Sequence, residues 1–330
     1  MPSTAPDTTP VAVGILENAQ HQILVAQRPD HKHQGGKWEF PGGKINPGEE
    51  MPEALGRELH EELGIMLRAA CPLQRVHHIY PDKSVLLDVW RVTEYTGEPH
   101  GREGQPLRWV TPFDLNDLDL PVADLPIVRT LQLSPLYLIT DSHRYGKAGM
   151  LTLIERALIA GARLLQLREP QMSADEYTVY ARTVTALAHR YGARVLLNAD
   201  PSLVTACGAD GVHLSSRRLM TLPGRPLPQA CLVAASCHGI AELVQASRIG
   251  ADFAVLSPVL PTTSHPHVAP LGWDGFLRMR MHSDAPVYAL GGMRPEYLNK
   301  ARAMGAQGLA MIRGLWEAPS VELAVETALR

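Results

Sequence analysis

Glutamate side chains cluster in one short segment, Arg57-Glu-Leu-His-Glu-Glu-Leu63. Glu58, Glu61 and Glu62 are spaced i, i+3 and i+4, so on a helix their carboxylates share one face. Carboxylates held this close repel one another, and a divalent cation such as Mg²⁺ or Mn²⁺ would relieve the repulsion while bridging to phosphate oxygens. A solvated acidic helix face is the alternative interpretation.

A glycine-rich loop precedes this helix and favours the metal interpretation. In the loop Pro41-Gly42-Gly43-Lys44, the glycines allow the backbone to approach a phosphate closely, and Lys44 can contact it. Arg57 stands beside the carboxylates. Loop and cluster together predict a pyrophosphate site.

One prominent helix must position the carboxylates, and the pattern predicts it over Pro52–Leu63. Leu55, Leu59 and Leu63 form its buried stripe, and Gly64 ends it. Short apolar runs around the helix predict strands at Val11–Leu16, Ile23–Ala26, Val85–Val92 and Leu107–Val110.

The spacing from Gly43 to Ile65 resembles the signature of the Nudix family, G-x5-E-x7-R-E-U-x-E-E-x-G-U, in which U is a bulky aliphatic residue. All nine specified positions match. The resemblance implies an α/β/α sandwich that cleaves a nucleoside diphosphate linked to another group. It does not identify the nucleoside.

Further segments between residues 10 and 131 resemble the MutT-type members of that family, which are 8-oxo-dGTP diphosphatases. They are Ile23-Leu-Val-Ala-Gln-Arg28, Lys37-Trp-Glu-Phe-Pro-Gly-Gly-Lys44 and Glu98-Pro-His-Gly-Arg-Glu-Gly-Gln-Pro106. The resemblance implies that water attacks the β-phosphorus of a nucleoside triphosphate, which releases the monophosphate and pyrophosphate.

The same resemblance implies a role for each candidate site residue. The implied metal site consists of Gly42, Glu58, Glu61, Glu62 and Glu103, and the cation is Mg²⁺ or Mn²⁺. The implied catalytic residues are Glu49, Arg57 and Glu58, with Glu58 or Glu49 accepting or orienting the proton of the attacking water. The implied substrate-binding residues are Arg28, Glu39, Phe40, Lys44 and Asp124, with Phe40 packing against the purine.

Asp124 departs from the pattern, because MutT-type enzymes have an asparagine there that reads the oxidised purine. An amide both donates and accepts hydrogen bonds, whereas a carboxylate only accepts them. A buried Asp124 that holds a proton would recover the pairing. If it is ionised, the substrate preference changes.

From Leu136 onward the sequence follows a different pattern, in which Gly-Ala recurs before short apolar runs. Glycine ends a helix and a buried parallel strand follows. The predicted strands are Leu136–Thr140, Leu164–Leu167, Val195–Leu197, Gly211–His213, Leu232–Ala235, Phe253–Leu256, Val287–Leu290 and Leu309–Ile312. Eight regular units favour a closed (β/α)₈ TIM-type barrel over an open doubly wound sheet. We therefore expect an α/β protein with two domains, residues 1–132 and 133–330.

Segments of the second domain, such as Leu165-Gln-Leu-Arg-Glu169, Gly208-Ala-Asp-Gly-Val-His-Leu214 and Ala289-Leu-Gly-Gly-Met293, resemble thiamine phosphate synthase and its TenI relatives over residues 136–330. Each falls at the C-terminal end of a predicted strand, where barrel active sites lie. The implied phosphate site consists of Arg168, Gly291, Gly292 and Arg313.

The catalytic pattern of that family is incomplete in this chain. Pro170 replaces a lysine, Ala199 replaces a magnesium-binding aspartate, and Ser215-Ser-Arg-Arg218 stands where a second such aspartate is expected. Pro258 replaces the histidine of TenI-type tautomerases. We therefore expect a barrel without synthase activity that binds a small phosphate ester or serves in dimerisation. Hydrolysis of a thiamine-related pyrophosphate by the first domain is the alternative function.

Composition excludes several classes of protein. The 330 residues are 45% apolar and 20% charged with a net charge of −3, which is typical of a globular protein without a general attraction to nucleic acid. No apolar run approaches the roughly 20 residues of a membrane span. The N-terminal sequence does not resemble a signal peptide, and the four cysteines form no C-x-x-C pair, so we expect a cytoplasmic protein.

Overall fold

The computed structural model describes residues 8–29, 34–81, 83–262 and 268–329. The chain divides into two compact units, Met1–Leu133 and Ser134–Arg330. Each unit has a hydrophobic core of its own.

The N-terminal unit contains two small sheets. Its strands are β1 (Thr8–Ile15), β2 (Ile23–Gln27), β3 (Trp38–Glu39), β4 (Gly42–Lys44), β5 (Met66–Ile79), β6 (Ser84–Thr96) and β7 (Leu107–Val110). One sheet has the order β4-β1-β6-β5, in which β1 and β6 are parallel, and the other has the order β3-β2-β7. Alternate residues of β1 and β2 therefore face opposite layers.

Helices pack on both faces of these sheets. Helix α1 (Met51–Leu63) buries Leu55, Leu59 and Leu63 against one face, and helix α2 (Leu125–Leu131) buries Ile127 and Val128 against the other. Short 3₁₀ turns precede α2 at Asp114–Asp117 and Val122–Asp124. This arrangement confirms the predicted α/β/α sandwich.

Helix α1 begins one residue before the predicted helix and ends at the predicted residue. Gly64 ends it in the left-handed conformation, with φ +70° and an N–H donated to the carbonyl of His60 at 3.1 Å. Apolar alternation alone does not reveal the long strand β5, because Pro72 and register shifts interrupt its pattern.

The C-terminal unit is a closed parallel barrel. Within the described residues, eight strands form it: β8 (Leu136–Ile139), β9 (Leu164–Leu167), β10 (Arg194–Leu197), β11 (Gly211–Leu214), β12 (Leu232–Cys237), β13 (Phe253–Leu256), β14 (Val287–Ala289) and β15 (Gly308–Met311). Leu136 of β8 pairs with Leu309 of β15, which closes the circle. The predicted TIM-type barrel is confirmed, and the open sheet is excluded.

Helices connect these strands. They are α3 (Ser142–Ile159), α4 (Ala174–His189), α5 (Leu203–Cys207), α6 (Ser216–Thr221), α7 (Ile240–Arg248), α8 (Gly272–Arg280), α9 (Leu298–Ala303), α10 (Arg313–Trp316) and α11 (Val321–Leu329), with a 3₁₀ turn at Pro295–Tyr297. Among the residues that the structure describes, no helix is both long and apolar enough to cross a membrane.

Candidate functional site

One cavity of about 540 Å³ in the N-terminal unit is lined both by residues of the predicted acidic cluster and by residues predicted to bind the purine, which together form the purine pocket. Of the candidate residues, those that line it are Arg28, Glu39, Phe40, Gly42, Gly43, Lys44, Glu58, Glu62 and Asp124. They come from β2 and β3 with their loops, β4, α1 and the turn before α2. The fold therefore brings together residues that are almost a hundred positions apart in the chain.

Arg57 ties the loop before α1 to the carboxylates of the helix. Its guanidinium donates from Nε and Nη2 to both oxygens of Glu49 at 2.9 Å, and from Nη1 to Glu58 at 2.7 Å and Glu61 at 3.4 Å. The bidentate contact lowers the pKa of Glu49 to about 2. Glu49 is therefore a weak base that anchors Arg57. Glu61 is largely exposed, and neither lies on the cavity wall.

Gly42 and Gly43 allow the loop to lie directly against α1. A Cβ atom on Gly43 would stand 2.2 Å from Cδ of Glu58, so a larger residue there would displace this carboxylate from its present position. Gly42 has φ +144°, and a Cβ there would meet the carbonyl oxygen of Ala12 at 2.1 Å. The backbone N–H of Gly42 donates to Glu62 at 3.1 Å. The sequence-predicted loop thus fixes the positions of two carboxylates.

The pKa of Glu62 is raised, because this carboxyl group is buried and lies near other carboxylates. Its pKa is raised to about 7, first by burial and then by the carboxylates of Glu39, Glu58 and Glu103 around it, against the lowering effect of the Gly42 N–H. Glu103 lies on an exposed loop that Gln105 fastens to the carbonyl of Glu62 at 2.9 Å. A cation among these oxygens would remove the repulsion.

The donor chemistry of this cluster fits a hard divalent cation, since it offers carboxylate oxygens in excess of the positive charge that faces them. Among the described residues, however, no three His, Cys, Asp or Glu side chains stand in ready coordination of one ion. Arg57 and the Gly42 N–H engage the oxygens of Glu58 and Glu62 instead. Binding a metal therefore requires these side chains to rearrange.

The other end of the cavity is apolar and contains a buried carboxyl group. Phe40 is 4% exposed, and Arg28 forms an ion pair with Glu39 at the wall. Asp124 is 7% exposed. Burial, reinforced by Glu39 and opposed by Arg28, raises its pKa to about 8. At neutral pH it is a carboxylic acid that both donates and accepts a hydrogen bond.

Tyr80 and Lys83 complete this wall, and the sequence analysis missed them. They flank the turn between β5 and β6, where the N–H of Tyr80 donates to the carbonyl of Lys83 at 2.8 Å. The ammonium of Lys83 lies 5.8 Å from the centre of the Tyr80 ring. The aromatic-Pro-Asp-Lys turn between two strands is a signal that could have indicated them.

A second cavity, of about 470 Å³, opens at the C-terminal ends of β8, β9 and β15. Arg168 and Arg313, two of the predicted phosphate ligands, line it together with His143 and Arg144. Beneath it, the buried carboxylate of Glu169 accepts hydrogen bonds from the Thr140 hydroxyl and from the N–H and hydroxyl of Ser142. These contacts fix the loop that follows β8.

The structure places Gly291 and Gly292 apart from those arginines. Both have positive φ, and Cβ atoms there would meet Pro258 at 2.8 Å and Leu260 at 2.7 Å. The two glycines let the loop after β14 pack against the loop after β13. They do not line the cavity that holds Arg168 and Arg313.

Comparisons with known proteins divide the chain at the same place. Residues 12–130 match the NUDIX domain family, and residues 136–315 match the thiamine monophosphate synthase family. The 8-oxo-dGTP diphosphatase of Escherichia coli is 38% identical over 122 residues, which cover 37% of this chain and 95% of that protein.

A thiamine-phosphate synthase of Chloroflexus aurantiacus is 30% identical over 190 residues, covering 57% of this chain and 88% of that protein. Among solved structures, a thiamine phosphate pyrophosphorylase from Pyrococcus furiosus has a TM-score of 0.49 at 25% identity. It covers 58% of this chain and 92% of that one.

Proposed function

Because the chain belongs to the Nudix family over residues 12–130 and to the thiamine monophosphate synthase family over residues 136–315, we propose that its N-terminal unit is a Mg²⁺-dependent pyrophosphohydrolase. It converts 8-oxo-dGTP to 8-oxo-dGMP and pyrophosphate, and so removes oxidised nucleotides from the cytoplasmic pool. The observation that carries this proposal is the single cavity in which the carboxylates of α1 and the buried acid Asp124 face the same ligand.

Asp124 supports an oxidised purine as the substrate. Its protonated carboxyl offers one donor and one acceptor, which match the O6 acceptor and the N7–H donor of 8-oxoguanine. Unmodified guanine has an acceptor at N7, so one hydrogen bond is lost and a buried acceptor stays unpaired. Such a loss is worth about 1–3 kcal/mol, or roughly fivefold to 150-fold in discrimination. Phe40 supplies apolar surface for the ring.

The acidic end supports hydrolysis. Gly42, Glu58, Glu61, Glu62 and Glu103 would hold Mg²⁺ or Mn²⁺, which polarises phosphate oxygens and offsets the charge that develops on them. Lys44 and Arg28 add positive charge on the cavity wall. The oxygen of water attacks the β-phosphorus, and the bond to the α–β bridging oxygen breaks with its electron pair leaving on the monophosphate.

Glu58 is the residue to which we assign the proton of the attacking water. It lies on the cavity wall, and Gly43 gives its carboxylate a fixed place. Glu49 is less suited, since its bond to Arg57 holds its pKa near 2. Arg57 positions both carboxylates.

The test is pyrophosphate release by the full chain with Mg²⁺ from 8-oxo-dGTP, dGTP and thiamine diphosphate. We expect 8-oxo-dGTP to be preferred, and Glu58→Gln to lower kcat by roughly 10²–10⁴-fold. Glu53→Gln is the matched control, because Glu53 is an exposed glutamate on the same helix. Equal activity in both variants would refute the role of Glu58, and poor activity on 8-oxo-dGTP would refute the substrate.

The fusion itself favours one alternative substrate. A Nudix domain joined to a barrel of the thiamine monophosphate synthase family is consistent with hydrolysis of a thiamine-related pyrophosphate. Preference for thiamine diphosphate in the same assay would support it. The barrel would then bind a related ligand or form a homodimer.

A further inference from the structure

Arg218 lies where the resemblance to thiamine phosphate synthase implies a magnesium site. The guanidinium of Arg218, in the first turn of α6, donates from Nη1 to the carbonyl of Ala199 at 3.1 Å and to the carboxylate of Asp200 at 2.9 Å. The Ser215 hydroxyl accepts from the Arg218 N–H at 3.4 Å and caps this helix. Local structure therefore holds Arg218 over the end of β10.

These residues do not fit a divalent cation. Ala199 has no side-chain ligand where the family has an aspartate. Asp200 directs one oxygen to Arg218 and the other to the N–H and hydroxyl of Ser202, at 3.0 and 2.7 Å. The guanidinium of Arg218 forms an ion pair with Asp200, and a metal ion would have to displace it. Arg218 therefore supplies the positive charge that a metal would otherwise bring.

Fixed positive charge also lines the adjacent cavity. Among the described residues on its wall, Arg144, Arg168 and Arg313 stand against one carboxylate, that of Asp141. Arg144 is 3.0 Å from Glu317, which meets part of its charge. Three arginines around a cavity of about 470 Å³ favour an anion with several acceptor oxygens.

The two features adjoin each other at the mouth of the barrel. The N–H of Asn198, after β10, donates to the carbonyl of Leu167, at the end of β9, at 3.0 Å. Ala199 follows Asn198 and Arg168 follows Leu167, so the contact of Arg218 with Ala199 lies next to the cavity that Arg168 lines. Below them, burial and the nearby charge of Arg168 lower the pKa of His213 to about 3. The histidine is neutral, and the arginines supply the charge.

We propose that the mouth of the barrel binds a phosphate monoester without a divalent cation, with Arg168 and Arg313 as the phosphate ligands and Arg218 in the place of the metal. The site then holds a phosphorylated ligand but does not drive the departure of pyrophosphate, because no divalent cation offsets the charge that develops on the leaving group.

The test is binding of inorganic phosphate to the full chain by titration calorimetry, with EDTA and separately with Mg²⁺. We expect saturable binding in EDTA, and the component of the binding that depends on Arg168 should have equal strength in both buffers. Arg168→Gln should weaken binding by about tenfold or more, since it removes a charge-assisted hydrogen bond. Arg190→Gln is the matched control, because Arg190 is an exposed arginine at the end of α4 that pairs with Glu155. Circular dichroism of each variant checks the fold.

Two results would overturn the proposal. They are the absence of phosphate binding in EDTA, whether or not Mg²⁺ restores it, and binding that Arg168→Gln leaves unchanged. The last result would show that Arg168 is not a ligand of the bound phosphate.

A second variant tests the role of Arg218 directly. Ala199→Asp combined with Arg218→Gln restores a carboxylate and removes the guanidinium, so Mg²⁺ should now strengthen phosphate binding by about threefold or more. If Mg²⁺ has no effect on this variant, Arg218 does not stand in for a metal.

Discussion

The substitution Asp124→Asn tests how the purine pocket recognises its ligand. It keeps the size of the side chain and removes its titratable group. With a pKa of about 8, Asp124 is a carboxylic acid at neutral pH and an anion above that pH. The acid donates and accepts a hydrogen bond, whereas the anion only accepts. We therefore expect kcat/KM of the native chain for 8-oxo-dGTP to fall as the pH rises past 8.

The size of this fall follows from the titration. A single acid with a pKa of about 8 is mostly protonated at pH 7 and roughly one-tenth protonated at pH 9, so kcat/KM should drop by about tenfold over that interval. The amide of Asp124→Asn makes both hydrogen bonds at every pH. Any decline that the variant still shows belongs to the substrate or to other groups.

The assay is the initial rate of pyrophosphate release from 8-oxo-dGTP at saturating Mg²⁺, measured between pH 6 and pH 9 for both proteins. The ratio of their kcat/KM values isolates the titration of Asp124. A ratio that stays flat across this range would refute the protonated-acid mechanism.

Stability gives an independent readout of the same group. The pKa rises from 3.8 to about 8 on folding, so folding takes up a proton between these pH values and the native chain loses stability as the pH rises through that window. At pH 7 the penalty is on the order of 4 kcal/mol. We expect Asp124→Asn to recover about 2 kcal/mol in calorimetric unfolding, because burying an amide also has a cost. Equal stability of the two proteins at pH 8 would contradict the assigned pKa.

Three further substitutions test other parts of the structure. Gly43→Ala would push a methyl group into Glu58, so kcat should fall about tenfold or more with little change in KM; Gly56→Ala, a helix position with room for a Cβ, should leave the rate intact. Arg57→Gln frees carboxylates that its guanidinium now holds, and should lower kcat by at least about tenfold while raising the pKa of Glu49 in an NMR titration. Glu169→Ala leaves buried donors unpaired, and should destabilise the barrel by about 2–3 kcal/mol in thermal unfolding; an unchanged melting temperature would contradict this.

Local chemistry explains what the sequence alone predicted. A thirteen-residue helix with leucines every fourth position and glycine at its end specifies its own bounds and the face that Glu58 and Glu62 share. In the barrel, five of the eight described strands are short apolar runs that follow a Gly-Ala pair, so the positions of these strands are also encoded locally; they are β9, β10, β11, β13 and β15. The helix, most of the barrel strands and the carboxylate cluster were therefore predictable from local sequence, whereas the sandwich was expected only from the resemblance to the Nudix family.

Long-range packing decided the rest. Glu61 shares the spacing of its neighbours but is exposed, because only the tertiary fold determines which carboxylates the loop of Gly42 and Gly43 covers. Gly291 and Gly292 likewise pack against another loop and not against the arginines.

The protonation of Asp124 is the clearest case. Asp124 is far in sequence from Glu39 and Arg28, so the sequence does not show that these residues affect its pKa. The pKa also depends on burial, which no local pattern encodes. Residue types and spacings determined which chemical groups this protein has. The tertiary structure decided which of them meet, and whether each carries a proton, because burial and the charges of distant residues set the energy of ionisation.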